Sequence, residues 1–183
     1  MVSVIIEQAF GRPIKLDDIF TGDRALRWCL DIYGCSARFH ALTPEGRNSI
    51  CVYEAPDAEA MRNVGRTGGL REAQRIWTAT VHPGPGDDPG KAPVLETGEA
   101  TLGLVERSFP EPIDFESLQA AEDDNISCLV MHRVRFIRSY LALDKRKMIC
   151  LYAAPDLESI RVANRKTGLP VDEVYLARPN YPA

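Results

Sequence analysis

The alternation of apolar and polar residues predicts four strands and two helices in the second half of the chain. The strands are runs of apolar, β-branched and aromatic residues bounded by proline, glycine or charged turns. They span residues 102–109, 134–143, 147–153 and 171–178. One helix follows Asp114 and runs to about residue 132, and the other is capped by Asp156 and ends before Gly168. This β-α-β-β-α-β order is typical of a ferredoxin-like domain, an antiparallel sheet with both helices on one face.

The first of these helices has an interrupted apolar face. The apolar residues on that face are Phe115, Leu118, Ala121, Leu129 and Val130. A polar run, Asp123-Asp124-Asn125, falls among them, and it predicts that this helix is kinked or split.

The same pattern recurs in the first half of the chain at a constant offset. The run Cys51-Val-Tyr-Glu-Ala-Pro-Asp returns as Cys150-Leu-Tyr-Ala-Ala-Pro-Asp, an offset of 99 (from residue 51 to residue 150). Between residues 51 and 70 this offset gives ten identities in twenty positions, where unrelated segments share roughly one. It also pairs Glu7 with Glu106. We interpret the chain as a tandem duplication of one domain.

A segment rich in proline and glycine separates the two halves. Residues 82–93 hold four prolines and three glycines, a composition that cannot sustain a helix or a central strand. The predicted organisation is a first repeat over 1–81, a linker over 82–101 and a second repeat over 102–183. A bare sheet face of this size associates with another surface. The predicted fold is therefore α+β, two ferredoxin-like βαββαβ repeats packed sheet to sheet as an intrachain dimeric α+β barrel.

Composition excludes several classes of partner. The net charge is −4 and the pI about 5.4, so no broad basic surface is available for nucleic acid. No apolar run reaches the roughly 18 residues of a membrane span, and the N-terminus lacks the pattern of a signal peptide. The five cysteines are odd in number and have no CxxC spacing, which favours reduced thiols. We expect a cytoplasmic monomer that acts as a pseudo-dimer, with further homodimerisation left open.

Strand periodicity predicts which side chains face the space between the two sheets. Ile149 and Leu151 are expected to pack under the helices, so their neighbours on the strand point the other way. Glu7 and Glu106 are expected to face that space or its rim, because a carboxylate is disfavoured under a helix. The candidate ligand-binding residues are His40, Cys51, Tyr53, Arg138, Tyr140, Cys150 and Tyr152.

Each of these residues also has a purely structural interpretation. Free cysteine is among the most buried residue types, so Cys51 and Cys150 are candidates for ordinary core positions. The two tyrosines can each use the hydroxyl in one internal hydrogen bond. The two glutamates can pair with Arg107, Arg138 or Arg178.

The second repeat resembles a known family in several motifs. These are Leu104-Val-Glu-Arg107, Cys128-Leu-x-x-His132, Phe136-x-x-Ser-Tyr140, the run from Asp144-Lys-Arg-Lys to Ala154-Pro155, and Gly168-Leu-Pro-Val-Asp172. They resemble the small nickel-responsive, nickel-binding ferredoxin-like proteins. The resemblance covers nearly all of residues 102–179, and the first repeat shares it more weakly.

The resemblance implies homodimers of single domains, here mimicked by two fused copies, and a site for nickel or another divalent transition metal. His132 matches the family's Cys-Leu-x-x-His pattern, and His40 approximates the place where many relatives have a histidine before Ser-Tyr. The predicted metal ligands are His132, His40, Glu106 and Cys150, since nickel takes imidazole, thiolate and carboxylate donors.

Two functional hypotheses follow, and a third has less support. The first is a binding or sensing protein that holds a metal ion or a small ligand between the repeats. The second is a cofactor-independent monooxygenase, isomerase or lyase, with Glu7 or Glu106 as general base. The third is an interaction module, for which the sequence marks no surface.

Overall fold

The computed structural model describes residues 1–69, 75–114, 116–118, 120 and 126–180. It divides into two compact units. The first comprises residues 1–80 together with the C-terminal residues from Ala177 onward, and the second comprises Val81–Leu176. None of the helices in the described ranges is long and apolar enough to cross a membrane.

The first unit is an antiparallel sheet with its helices in the predicted order. Its elements are β1 Val2–Ala9, α1 Leu16–Ala25, α2 Arg27–Ile32, β2 Ser36–Leu42, β3 Asn48–Ala55, α3 Ala58–Gly68 and β4 Arg75–Pro83. The strand order is β4-β1-β3-β2, with β1 pairing antiparallel to both β3 and β4. The chain's first helical segment is divided at Leu26 into α1 and α2.

The second unit repeats this arrangement. Its elements are β5 Thr101–Ser108, α4 Ile126–Met131, β6 Arg135–Ala142, β7 Lys147–Ala154, α5 Leu157–Arg165 and β8 Glu173–Pro179. The strand order is β8-β5-β7-β6. The predicted strands are confirmed to within a few residues at their ends. The predicted kink at 123–125 and the apolar residues Phe115 and Ala121 lie outside the described residues.

The offset of 99 also relates the elements of the two units. It carries β1 onto β5, α2 onto α4 and β3 onto β7 with identical bounds. A register shift between Ala37 and Phe39 in β2 has its equivalent between Phe136 and Arg138 in β6. The two units therefore share local irregularities as well as element order.

Aspartates cap the helices as the sequence predicts. Asp57 accepts a hydrogen bond from the backbone N–H of Ala60 (2.8 Å), and Asp156 accepts one from Ser159 (2.7 Å). Asp114 accepts one from Ser117 in the same way (2.8 Å). An N-cap bond of this kind satisfies a helix N–H that has no partner within the helix. Helix α5 ends at Arg165, slightly before the predicted end, and Gly168 adopts a positive φ of 71° in the turn that follows.

The prediction of which strand residues lie under the helices is wrong. Met148, Cys150 and Tyr152 pack in one cluster with helix residues such as Ile160 and Leu129, and Cys51 and Tyr53 pack in the corresponding cluster of the first unit. Ile149 and Leu151 therefore lie on the opposite face. Strand β7 is buried along its whole length, so its hydrophobic pattern does not distinguish one face from the other.

Candidate ligand-binding site

A cleft of about 740 Å³ opens in the first unit between the sheet and its helices. Its walls are apolar, formed by Ile6, Phe10, Ile14, Ile19, Met61 and Ile76. Its polar floor is formed by Asp23, Cys51 and Tyr53, and three arginines, Arg62, Arg66 and Arg75, lie at its edge. A cavity with mostly apolar walls and a few grouped polar side chains is typical of a small-molecule site.

Asp23 is the centre of the polar floor. Its Oδ1 accepts a hydrogen bond from the Tyr53 hydroxyl at 2.8 Å, and its Oδ2 lies 2.8 Å from Nε2 of His40. Helix α1 supplies Asp23 in its last turns, and the pairing of β2 with β3 places His40 directly opposite Cys51. The rings of His40 and Tyr53 are in contact, with centroids 5.8 Å apart. The fold thus joins residues from one helix and two strands in one network.

The network keeps the imidazole of His40 charged. Burial of this side chain would lower its pKa, but the neighbouring Cys51 and Asp23 outweigh that effect and raise the pKa of His40 to about 10. Burial, together with Cys51 and Asp23, raises the pKa of Tyr53 well above its ordinary value. At neutral pH the floor therefore consists of an imidazolium–carboxylate pair and a neutral phenol.

In the second unit the equivalent side chains surround an arginine. Arg107 is fully buried, and its guanidinium donates hydrogen bonds to the carbonyl of Pro170 (2.5 Å), to Oδ1 of Asn164 (2.5 Å) and to the Tyr152 hydroxyl (3.3 Å). Cys150 lies in the same cluster and interacts with this guanidinium. Cys150 and Tyr152 are thus brought together, as predicted, but around Arg107 and under the helices.

The two predicted general bases lie on the face of the sheets away from the helices. Glu106 forms an ion pair with Lys147 (2.6 Å) and accepts a hydrogen bond from the Tyr175 hydroxyl (2.5 Å). Glu7 accepts a hydrogen bond from the indole N–H of Trp77 (2.6 Å). Both carboxylates are therefore engaged, and neither shares a face with Cys51, Tyr53, Cys150 or Tyr152. Tyr140 lies opposite Ile149, as Glu106 does, and so shares a face with Glu106.

Arg138 has a different role from the predicted one. It is almost completely buried, pairs with Asp87 at 2.6 Å, and donates to the carbonyls of Pro89, Asp88 and Lys91, each at 3.1 Å. Its guanidinium therefore holds the proline- and glycine-rich segment in place. Tyr140, opposite Ile149 in the ladder between β6 and β7, is buried and belongs to neither the first-unit cleft nor the Arg107 cluster.

Part of the second unit matches a known protein family in sequence. Residues 104–176 match the model of a family described as nickel responsive protein SCO4226-like. The second unit matches the SCO4226-like family. The resemblance predicted from its motifs is therefore confirmed over that range. No curated protein matches the chain.

Solved structures resemble the chain over nearly its whole length. The chlorite dismutase from Candidatus Nitrospira defluvii in complex with imidazole has a TM-score of 0.56 and 11% identity, with 98% of this chain and 91% of that chain covered. TA0507, a candidate chlorite dismutase, has a TM-score of 0.53 and 13% identity, with 98% and 94% covered. These neighbours have dimeric α+β barrel folds, and at such identities they show the fold alone. They confirm the α+β class, whereas the sheet-to-sheet packing of the two repeats stays a prediction.

The four residues predicted to bind nickel have different surroundings in the described structure. His132 lies at the end of α4 with Nε2 3.2 Å from Nζ of Lys166, and Glu106 is paired with Lys147. Cys150 lies under the helices, and His40 is part of the Asp23 network. Within the described ranges, no three His, Cys, Asp or Glu side chains are grouped so that they could hold a metal ion. This ligand set therefore stays a prediction.

Sequence reasoning missed three residues that define the two sites. Asp23 lies in an acidic helix with no spacing that links it to His40. Arg107 was considered only as a partner for a glutamate. Gly65 lies inside α3, where glycine costs about 1 kcal/mol relative to alanine, and that cost was the available signal.

Proposed function

We propose that this chain is a binding protein for a small amphipathic organic molecule, and that the ligand occupies the cleft of the first unit. The volume of about 740 Å³ lies within the range of small-molecule sites. The apolar walls would bury the body of the ligand, and the floor would orient one polar end.

The observation that carries this proposal is the charged network at the floor of the cleft. A buried carboxylate and imidazolium are costly to keep out of water, and an apolar core would be at least as stable without them. Here the Asp23 side chain is 11% exposed and lines the cleft, while His40 behind it is fully buried. We interpret this arrangement as a preorganised polar end for a ligand.

Binding is favoured over catalysis by the state of the two glutamates. A general base needs a lone pair within reach of a substrate proton. Glu106 already accepts from Lys147 and Tyr175, and Glu7 accepts from Trp77. Among the residues that the structure describes, the carboxylates that line the cleft are those of Asp18 and Asp23. Asp18 accepts from the backbone N–H of Lys15, and Asp23 is held by His40 and Tyr53.

A screen of small aromatic fragments tests the proposal. Methyl resonances of methionine and isoleucine report on both units, because Met61 and Ile76 line the cleft and Ile160 is the second-unit equivalent of Met61. Binding fragments should shift the Met61 and Ile76 signals and leave Ile160 unchanged. A screen in which no fragment shifts the cleft methyl groups, or in which Ile160 responds instead, would contradict it.

Nickel binding is a second candidate, favoured by the family match over residues 104–176. Calorimetric titration of metal-free protein with Ni²⁺ tests it, with His132→Ala as the variant and Zn²⁺ as the comparison ion. Binding that is saturable and lost in the variant would support a site at His132. No heat and no change in thermal stability would rule against this candidate without bearing on the organic ligand.

We also propose that the two units are copies of one ancestral domain. The common offset of 99 in sequence, element bounds and strand irregularities supports this. The proposal matters for function because it makes each residue of the cleft comparable with a residue of the second unit.

A further inference from the structure

The second unit shows what the fold can accommodate at the position of the cleft. Three positions of the cleft can be compared with their equivalents in the second unit. Gln8 corresponds to Arg107 and Gly65 to Asn164, whereas Tyr53 corresponds to another tyrosine, Tyr152. In the second unit, Arg107 fills the space below the helix and is fixed by Tyr152 and Asn164. In the first unit the same three positions line the open cleft.

The absence of a side chain at position 65 keeps the cleft open. A Cβ built at Gly65 would meet no atom within 4 Å, so nothing in the described part of the unit fills that space. Asn164, its equivalent, is fully buried, accepts from Arg107 and donates to the carbonyl of Ile160 at 2.9 Å. Positions 8 and 65 are thus two places where a side chain that fills the second unit is replaced by a smaller one at the cleft.

We infer that the buried end of the ligand is a planar, cationic nitrogen donor of the guanidinium or amidinium class, the chemical group that Arg107 supplies internally in the second unit. This inference rests on the proposed function. The Tyr53 hydroxyl donates to Asp23 and keeps its oxygen lone pairs for an incoming N–H. The carboxylate of Asp23 also lines the cleft. Its Oδ2 faces the His40 imidazolium, so Oδ1, which accepts from Tyr53 and keeps a further lone pair, is the second acceptor. Charge-assisted N–H···O bonds to such acceptors are about twice as strong as neutral ones.

The arginines at the edge of the cleft do not reverse this preference. Arg66 and Arg62 both pair with Glu59, at 2.8 and 3.3 Å, and their side chains are 64% and 44% exposed. Solvent screens exposed charges strongly, whereas interactions at the buried floor are screened much less. Arg75, the third arginine at the edge, is likewise exposed. The acceptors at the floor therefore select the head group, and the edge contributes little.

Three probes of equal size and different charge test the inference: benzamidine, benzamide and benzoate. We expect benzamidine to bind on the order of ten-fold more tightly than either of the others, by calorimetry. The Asp23→Asn variant should remove that preference. If benzamide or benzoate binds as well as or better than benzamidine, the inference is wrong and the binding function stands. If none of the three binds, both are contradicted.

Exchanging the two positions between the units provides a second, independent test. Gln8→Arg combined with Gly65→Asn should close the first cleft and abolish benzamidine binding, with the thermal transition retained because the second unit already accommodates these residues. Arg107→Gln combined with Asn164→Gly should open a second site and raise the stoichiometry from one to two. Folded Q8R/G65N protein that still binds benzamidine at the wild-type affinity would overturn the role of these positions, even if the R107Q/N164G protein fails to fold.

Discussion

The charge of a single residue, His40, depends on its neighbours Cys51 and Asp23. His40 is fully buried, a position in which imidazole is ordinarily neutral. Asp23 approaches its Nε2 at 2.8 Å, and Tyr53 holds the other oxygen of that carboxylate. Removing Asp23 would therefore change the protonation state of His40 as well as the shape of the floor.

Stability should consequently fall as pH rises above neutrality. The pKa of His40 is about 10 in the folded chain, against about 6.5 in the unfolded chain. The folded chain therefore binds the His40 proton more tightly than the unfolded chain does, and this difference stabilises the fold. This contribution is fully present below pH 6.5, declines above it and is lost as pH passes 10. Denaturant unfolding at pH 6, 8 and 9.5 should show a decrease in the free energy of unfolding on the order of a few kcal/mol.

His40→Ser provides the control for this prediction, because serine is the residue at the equivalent position 139. Asp23, Cys51 and Tyr53 face the imidazole from α1 and β3, and all three remain in that variant. Its free energy of unfolding should be lower at pH 6 and should fall much less up to pH 9.5 than that of the wild type. The decline that remains comes from buried thiols such as Cys35, whose pKa burial raises. An equal pH slope in both proteins would assign the effect to another group.

For single residues, the sequence predicts which side chains lie together better than it predicts the partners that hold them there. His40, Cys51 and Tyr53 were predicted to lie together, and they do, because strand pairing and period are local properties. Their common partner Asp23 lies 17 residues before His40, on a helix whose rotation no local pattern fixes. The role of Arg107 was missed for the same reason, since Asn164 and Pro170 approach it from distant parts of the chain.

The secondary-structure elements were predicted well and their faces poorly. Strands β3 and β7 are bounded by clear turn residues, and their ends were found to within a few positions. Both strands are buried on both faces, so alternation of apolar residues carries no information about which face meets the helices. The polar residues decide the outcome: Tyr53 and Tyr152 go under the helices, where Asp23 and Arg107 satisfy their hydroxyls.

Helix α3 should become more stable when its cleft glycine is replaced. Gly65→Ala adds a methyl group that meets nothing within 4 Å and restores helix propensity, so the free energy of unfolding should rise by about 0.5–1 kcal/mol. Gly68→Ala, in which the new Cβ would clash with Cδ2 of Leu26, should gain less. Urea denaturation of both variants checks this. Equal gains would mean that Leu26 moves freely, and a loss for Gly65→Ala would contradict the open space described here.

Arg138 should be the anchor of the proline- and glycine-rich segment. Arg138→Ala leaves Asp87 buried without its partner, and breaking a buried pair of this kind costs about 3–5 kcal/mol. Cleavage by a broad-specificity protease should then concentrate between residues 84 and 91. Arg135→Ala is the matched control, because Arg135 binds Glu99 (2.7 Å) but is 32% exposed, and it should cost about 1 kcal/mol. Similar protease resistance in the Arg138→Ala protein and the wild type would show that other contacts hold the segment.

The first unit depends on residues from the far end of the chain. Residues from Ala177 onward belong to it, and Arg178 lies over the ring of Phe20 (4.3 Å to the centroid) while pairing with Asp17. The backbone N–H of Asn180 donates to the carbonyl of Arg38 at 2.9 Å. No local pattern predicts contacts between residues 161 positions apart, so this association could not be predicted from the sequence.

Truncation after Leu176 should therefore weaken the first unit. It removes the cation–π contact to Phe20 and the ion pair with Asp17, a residue whose pKa Arg178 lowers. It also removes the hydrogen bond that the backbone N–H of Asn180 donates to the carbonyl of Arg38. Hydrogen exchange should accelerate in α1, near Asp17 and Phe20, because the opening of that helix becomes less costly.

Arg178→Ala alone should produce a smaller acceleration there, since exposed ion pairs contribute little and a cation–π contact about 0.5–1 kcal/mol. Lys166→Ala, which removes an exposed contact to His132 in the second unit, should leave exchange in α1 unchanged. If α1 exchanges at the wild-type rate in the truncated chain, the C-terminal residues do not stabilise this unit, and its stability comes from residues 1–80 alone.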